Sequence, residues 1–174
     1  MSQREISIAQ LTATRASGAV VWIRLYVGLI FIGEGFLKFL RPDSLGPGRF
    51  AKVDIPFSTF TAYLDGVFEV GCGTAILVGL LVRLATLPMI VDMIGAIAFT
   101  KVPLLFGSAA LYPKEHGFLD FFHEGRLEFA MLCGSIFLLI VGAGAYSLDS
   151  RMNRSFDSPN NQDRTPTRVP VAAV

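Results

Sequence analysis

Ionisable side chains interrupt apolar segments of this 174-residue chain, where they could bind a polar ligand or exchange protons. Glu34 and Lys38 stand in the first long apolar segment, and Glu69 stands in the second. A charged side chain deep in a bilayer costs roughly 2.5–3.5 kcal/mol on insertion scales, so it normally faces a partner or a cavity. Glu34 and Lys38 have the i,i+4 spacing of a helical ion pair and could simply neutralise each other. Glu69 has no cationic neighbour on its own helix, which makes it a candidate for proton exchange.

A second group of ionisable residues begins the last apolar segment, in the string H-E-G-R-L-E at 123–128. His123 is either an acid–base residue at the membrane surface, since imidazole changes its charge near neutral pH, or an ordinary loop residue. The string lacks the second histidine of an H-E-x-x-H zinc motif, so no metal site is predicted. We expect Lys38 and Arg126 to attract negative charge on a substrate. The predicted catalytic residues are Glu69 and His123, and the predicted substrate-binding residues are Glu34, Lys38, Glu124, Arg126 and Glu128.

Other polar residues have a structural interpretation. Arg24 and Asp92 lie nearer the opposite end of their segments, and we expect them to form an ion pair between two helices. Lys101 falls opposite Asp92 on a helical wheel and is predicted to extend to the membrane surface. Cys72 and Cys133 are too few for a disulfide framework and belong to no C-x-x-C pair, so their role stays open.

The composition predicts an integral membrane protein. Hydrophobic residues make up 52% of the chain, charged residues make up 17%, and the mean hydropathy is +0.55. A membrane-spanning helix needs about 20 apolar residues, and no basic run that would suggest nucleic-acid binding is present. We therefore predict an all-α fold, a bundle of four transmembrane helices. The predicted spans are 18–40, 60–82, 85–106 and 125–146.

Charge distribution predicts the domain limits and the orientation. A polar N-terminal segment covers 1–17, the membrane domain covers 18–149, and 150–174 is predicted to be a disordered C-terminal tail because it is rich in Pro, Asn, Asp and Arg. Arginines close to helix ends favour both termini in the cytoplasm. In this orientation, the charged group at the ends of the first, second and fourth helices lies near the outer leaflet. The small residues in the spans suit close helix packing, within one chain or in a homo-oligomer.

The order of several segments resembles the DoxX family of small bacterial membrane proteins. The resemblance covers about 24–149 and implies a four-helix membrane bundle in the inner membrane of a bacterium. The family is related to a subunit of a thiosulfate:quinone oxidoreductase, which implies a quinone or a small sulfur compound as substrate. The matching segments are R-L-Y-V-G-L-I-F-I-G-E-G-F-L-K-F at 24–39, G-R-F-A-K-V-D-I-P at 48–56, V-F-E-V-G-C-G-T-A-I-L-V-G-L-L-V-R-L-A-T-L-P at 67–88, M-I-G-A-I-A-F-T-K at 93–101, H-E-G-R-L-E-F-A-M-L at 123–132 and V-G-A-G-A-Y-S-L-D at 141–149.

Two functional hypotheses follow. In the first, the chain is a membrane subunit of a quinone-linked or thiol- and sulfur-related oxidoreductase system, and its charged pocket binds a quinone headgroup or a small anion. In the second, it is a non-catalytic scaffold that anchors soluble oxidoreductases, because the sequence has no flavin, haem or nucleotide motif of its own. A transporter of small solutes or protons is a weaker third hypothesis, since four helices lack the inverted repeats typical of transporters.

Overall fold

The computed structural model describes residues 17–157, and within them all regular structure is helical. The six α-helices are α1 (Val20–Leu40), α2 (Pro47–Lys52), α3 (Ser58–Val78), α4 (Val82–Ala96), α5 (Phe118–Val141) and α6 (Leu148–Asp157). Helix α4 is extended by a wide π-helical turn, Ile97–Lys101, and a 3₁₀ turn, Val102–Phe106.

Three of the four predicted spans correspond to helices that are long and apolar enough to cross a membrane. These are Val20–Leu40, Ser58–Val78 and Val82–Phe106. The predicted second span continued to 82, but the helix ends at Val78 because Gly79 takes a left-handed conformation, with φ 77°. All three helices leave many large apolar side chains on their outer faces, as expected for contact with lipid.

The fourth long helix, α5, differs from the predicted span at both ends. It begins at Phe118, before the predicted start at 125, where aromatic rings at 118, 121, 122 and 129 pack on one another. It ends at Val141 because Gly142 has a positive φ of 86°. Its first half carries four charged residues, and it is not one of the three helices that are long and apolar enough to cross a membrane by length and composition. The charged residues are Asp120, Glu124, Arg126 and Glu128.

Helices α1 and α3 approach each other closely through glycines. A Cβ atom added at Gly28 would lie 2.9 Å from the carbonyl oxygen of Gly73, and one added at Gly35 would lie 2.8 Å from that of Gly66. Backbones that come this close leave no room for a side chain. The apolar core beside this contact is filled mainly by Val27, Phe31, Ile76, Met89, Met93, Met131 and Leu138.

Arg24 binds backbone carbonyl groups at one end of the bundle, the end at which the described residues begin. The predicted Arg24–Asp92 ion pair is wrong. The guanidinium donates hydrogen bonds to the final carbonyl groups of α3 and to carbonyls of the segment after α5. Carbonyl groups at a helix end have few backbone donors, although Ile76 O also accepts a 3.2 Å bond from the Gly79 N–H, and the five N–H donors of arginine match them. Asp92 is too far away, since it lies about 15 Å along α4 from Val82. The four accepting oxygens and their distances are Ile76 O (2.9 Å), Leu77 O (2.6 Å), Ala143 O (3.1 Å) and Tyr146 O (2.5 Å).

Asp149 caps the start of α4 at the same end of the bundle. Its carboxylate accepts hydrogen bonds from the backbone N–H of Leu81 at 2.7 Å and of Val82 at 3.1 Å. Burial raises the pKa of this carboxyl group, while the two backbone donors and the charges of Arg24 and Arg83 act in the opposite direction. The helix α6 that carries Asp149 continues to 157, so the first residues of the predicted disordered tail are helical. The rest of that tail and the polar segment at 1–16 lie outside the described residues.

Candidate functional site

A cavity of about 860 Å³ lies at the opposite end of the bundle from Arg24. Its walls come from α1, α3, α4 and α5, from the short helix α2, and from Tyr112 in the loop before α5. The volume falls in the range of pockets that bind small molecules and cofactors. Charged side chains from every wall face this space among apolar ones, and it is therefore the candidate site.

Lys38 connects α1 with α3 inside this cavity. Its ammonium donates a hydrogen bond of 2.6 Å to Asp65 Oδ2 and another to Glu69 Oε2. The ring of Phe50, on α2, lies 5.9 Å from the same nitrogen and covers it. Lys38 therefore pairs with acidic residues across the helix interface, and the local pair with Glu34 that its spacing also allowed is not formed.

Three carboxylates meet beside Lys38, and we call them the carboxylate cluster: Asp65, Glu69 and Asp92. One oxygen of each lies within 4.8 Å of the others. Glu69 is only 2% exposed, and Asp92 Oδ2 is buried with no hydrogen-bond partner in the described part of the chain. Carboxylate oxygens are ligands for hard cations, but the ammonium of Lys38 already holds two of these three groups. The arrangement suits binding and transfer of protons, because several carboxylates share one cationic partner.

Lys101 provides a second cationic centre in the cavity wall, so the prediction that it extends to the membrane surface is wrong. The side chain is 3% exposed. Its ammonium donates a 2.6 Å hydrogen bond to the hydroxyl of Tyr112, lies 4.5 Å from the centre of that ring, and is 3.1 Å from Glu128 Oε1. The π-helical turn explains the difference, since its wider winding rotates Lys101 away from the direction that regular α-helical spacing predicts.

The start of α5 brings three further predicted residues to the cavity. Glu124, Arg126 and Glu128 line it, and Glu128 Oε2 is buried without a hydrogen-bond partner among the described residues. The guanidinium of Arg126 also donates to the carbonyl oxygen of His123. The His123 side chain is 68% exposed and does not line the cavity; its Nε2 lies 3.8 Å from Glu124 Oε1.

The structure thus brings six of the seven predicted site residues together, and their roles stay predictions. They are Glu34, Lys38, Glu69, Glu124, Arg126 and Glu128. Sequence reasoning missed Lys101 and Tyr112, and it assigned Asp92 to the wrong partner. A signal for Asp92 was present, because it shares a helix face with the small residues Gly95 and Ala96, which also line the cavity. No sequence pattern marked the π-helical turn.

Comparison with known proteins identifies relatives of this chain. The sequence model of the DoxX family matches residues 19–102. The chain is also 48% identical, over 136 residues, to the "uncharacterized membrane protein Rv3486" of Mycobacterium tuberculosis. That alignment covers 78% of this chain and 82% of the relative. No solved structure matches the chain.

Proposed function

Since the chain belongs to the DoxX family of integral membrane proteins, we propose that it is the quinone-binding membrane subunit of an oxidoreductase system. The observation that carries this proposal is the pairing of buried ammonium groups with clustered carboxylates around one cavity. Quinone carbonyl oxygens accept hydrogen bonds, and Lys38 and Lys101 are donors. Quinol hydroxyl groups donate hydrogen bonds, and Asp92 Oδ2 and Glu128 Oε2 are buried acceptors without partners among the described residues. The same site therefore matches both redox forms.

Protons and electrons reach the site from different sources in this proposal. Reduction of a quinone to a quinol takes up two electrons and two protons. A partner oxidoreductase supplies the electrons, since the sequence has no redox-cofactor motif of its own. The carboxylate cluster supplies the protons. Glu69 is the buried proton donor, and Asp65 and Asp92 exchange protons with it. Lys38 and Arg126 stabilise the negative charge that develops on the quinone oxygens during reduction.

We also propose that α5 is a fourth span and that both termini face the cytoplasm of the bacterial inner membrane. Its 24 residues are about 36 Å long, enough to cross the hydrocarbon core. Its charged first half faces the cavity through Glu124, Arg126 and Glu128, which lowers the cost of placing these residues in the membrane. Fusion of a reporter to the C-terminus tests the orientation: cytoplasmic fluorescence supports it, and periplasmic phosphatase activity contradicts it.

Binding of a quinone analogue to the purified protein tests the main proposal. In lipid nanodiscs, the wild-type protein should bind the analogue, and Lys38→Met and Glu69→Gln should each weaken binding about tenfold or more, the loss expected when a charge-assisted hydrogen bond is removed. Lys52→Met and Asp43→Asn are matched controls, because both side chains are exposed and neither lines the cavity. Unchanged binding in both site variants contradicts the proposal.

The scaffold hypothesis makes a different prediction for the same preparation. A pure anchor for soluble oxidoreductases would bind no quinone analogue above the level of empty nanodiscs. It would, however, retain a soluble enzyme when it is isolated from native membranes, and Lys38→Met would leave that association intact. This pair of results would replace the quinone-binding proposal with the scaffold.

A further inference from the structure

The charged cavity has an open side between α1 and α5. Residues of both helices line the cavity and also reach the outer surface of the protein. Tyr26 on α1 is 37% exposed, Leu127 on α5 is 42% exposed, and Ala130 is also exposed. We call this opening the lateral gap, and its edges are Tyr26, Ile30 and Glu34 on α1 and Leu127 and Ala130 on α5.

Direct helix contact closes the lateral gap on the side away from the charged residues. A Cβ atom at Gly134 would lie 2.6 Å from Val27 Cγ2 and 3.9 Å from Tyr26 Cε1, so α1 and α5 touch at this level. One turn further toward the charged end, Ala130 on α5 and Ile30 on α1 both line the cavity. On its other side, α1 stays in close contact with α3 through Gly28 and Gly35. The gap is therefore a local opening with defined edges.

The gap lies at the depth of the lipid hydrocarbon. Tyr26 is the seventh of the 21 residues of α1, and Ala130 is the thirteenth of the 24 residues of α5. Tyr26 therefore lies about 9 Å along α1 from Val20, well inside a hydrocarbon core that is about 30 Å thick. A ligand that passes through this gap enters from the lipid phase. Phe50 of the short helix α2 covers Lys38 near the loops that join the long helices, so that direction is less open.

We propose that the lateral gap is the entry route and tail-binding site for a lipid-soluble ligand that has a polar headgroup and a long apolar tail. The headgroup reaches Lys38 and the carboxylate cluster, and the tail leaves between Ile30 and Ala130 into the bilayer. This inference rests on the proposed function and specifies the ligand further: an isoprenoid quinone, and not a small water-soluble anion. Apolar residues at the gap and charged residues at the cavity floor match the two parts of such a molecule.

The experiment compares two probes with the same headgroup, a quinone without a tail and a quinone with a tail of several isoprene units. Both are titrated against the wild-type protein and against Ala130→Phe, which places a ring across the gap. The full-length protein is kept in lipid nanodiscs, and binding to empty nanodiscs is subtracted. Ile140→Phe is the matched control, because Ile140 lies on the lipid-facing side of the same helix and is 70% exposed.

The inference predicts a selective loss of affinity for the tailed probe. Ala130→Phe should weaken its binding about tenfold, since a few methylene contacts in the gap are lost, and should change binding of the tail-free probe less than twofold. Ile140→Phe should change neither. Equal weakening of both probes, or no weakening of either, overturns the lateral entry route while leaving the proposed function intact. If the wild-type protein binds neither probe, the proposed function itself fails.

Discussion

The ammonium of Lys101 and the hydroxyl of Tyr112 form a hydrogen bond of 2.6 Å that joins the end of α4 to the loop before α5. The same ammonium lies 3.1 Å from Glu128 Oε1, which adds α5 to the connection. Three segments of the cavity wall therefore depend on one buried lysine. A buried charge needs such partners, because an unpaired one would cost several kcal/mol.

Removing Lys101 should destabilise the protein, and removing its acidic partner as well should restore part of the loss. Lys101→Met leaves Glu128 without its cation, and we expect the free energy of unfolding to fall by about 3 kcal/mol. Lys101→Met combined with Glu128→Met should be more stable than the sum of the two single changes predicts, by about 1–3 kcal/mol. Equilibrium unfolding in mixed micelles measures this coupling. Strictly additive effects would show that the two side chains do not interact.

Replacement of Arg24 should be among the most damaging changes at the other end of the bundle. Arg24→Met removes a donor from four carbonyl oxygens. Ile76 O keeps the Gly79 N–H as a second donor, and each buried group left unsatisfied costs about 1–3 kcal/mol. We expect a loss of at least about 3 kcal/mol in the free energy of unfolding. Arg24→Lys should recover only part of it, because an ammonium cannot reach carbonyls on both sides in the way that the planar guanidinium does.

Arg41→Met is the control for the Arg24 variants, since Arg41 is exposed at the end of α1. Its thermal unfolding midpoint should stay within a few degrees of that of the wild-type protein. A wild-type midpoint for Arg24→Met would contradict the role assigned to the four hydrogen bonds.

The glycine contact between α1 and α3 predicts opposite results for two Gly→Ala changes on the same helix. A Cβ atom at Gly28 meets Gly73 O at 2.9 Å, so Gly28→Ala forces the helices apart and should cost about 1–3 kcal/mol. Gly33 lies on the open face, where a Cβ atom meets nothing within 4 Å. Gly33→Ala should be neutral or stabilising by up to about 1 kcal/mol, because alanine favours the helix. Thermal unfolding of the two variants under identical conditions tests this; equal effects would contradict the close approach.

Asp149 predicts a specific pH dependence of stability. Because burial raises the pKa of this carboxyl group, the folded protein binds its proton more tightly than the unfolded chain does. The stabilisation of the folded state that comes from the protonated Asp149 carboxyl group is fully present below the unfolded pKa of about 3.9 and is lost as pH rises through the folded pKa. Asp149→Asn removes this titration, so the stability difference between wild type and variant should change in that interval. Unfolding midpoints from about pH 3 to pH 7 measure it, and parallel profiles would contradict it.

Sequence reasoning predicted most of the helices and singled out many of the residues that line the cavity, because apolar runs and buried charges are local signals. Glu34, Lys38 and Glu69 stood out individually, since each interrupts a run that could span a membrane. The ion-pair partners of these residues could not be predicted from local sequence in the same way. Lys38 pairs with Asp65 on another helix instead of Glu34 on its own, and that choice depends on how α1 and α3 pack.

Irregular backbone explains the remaining differences. Regular α-helical spacing directs Lys101 away from Asp92 and toward the surface, but the π-helical turn at Ile97–Lys101 changes that direction. Arg24 could not be assigned from charge alone, because its hydrogen-bond partners are backbone carbonyls, which every residue has. Only the ends of helices with unpaired carbonyls mark such a site, and those ends depend on Gly79 and Gly142.

The hydrogen bonds of Arg24 also affect the order in which the protein can be completed during synthesis. Its partners Ala143 and Tyr146 follow it by 119 and 122 residues. At about 5–20 residues per second, the ribosome needs roughly 6–24 s to make that stretch. Until then, the Arg24 guanidinium has only the α3 carbonyls of Ile76 and Leu77 as acceptors, so its set of hydrogen bonds is incomplete. A nascent chain interrupted before Ala143 would expose this unfinished state to membrane quality-control proteases.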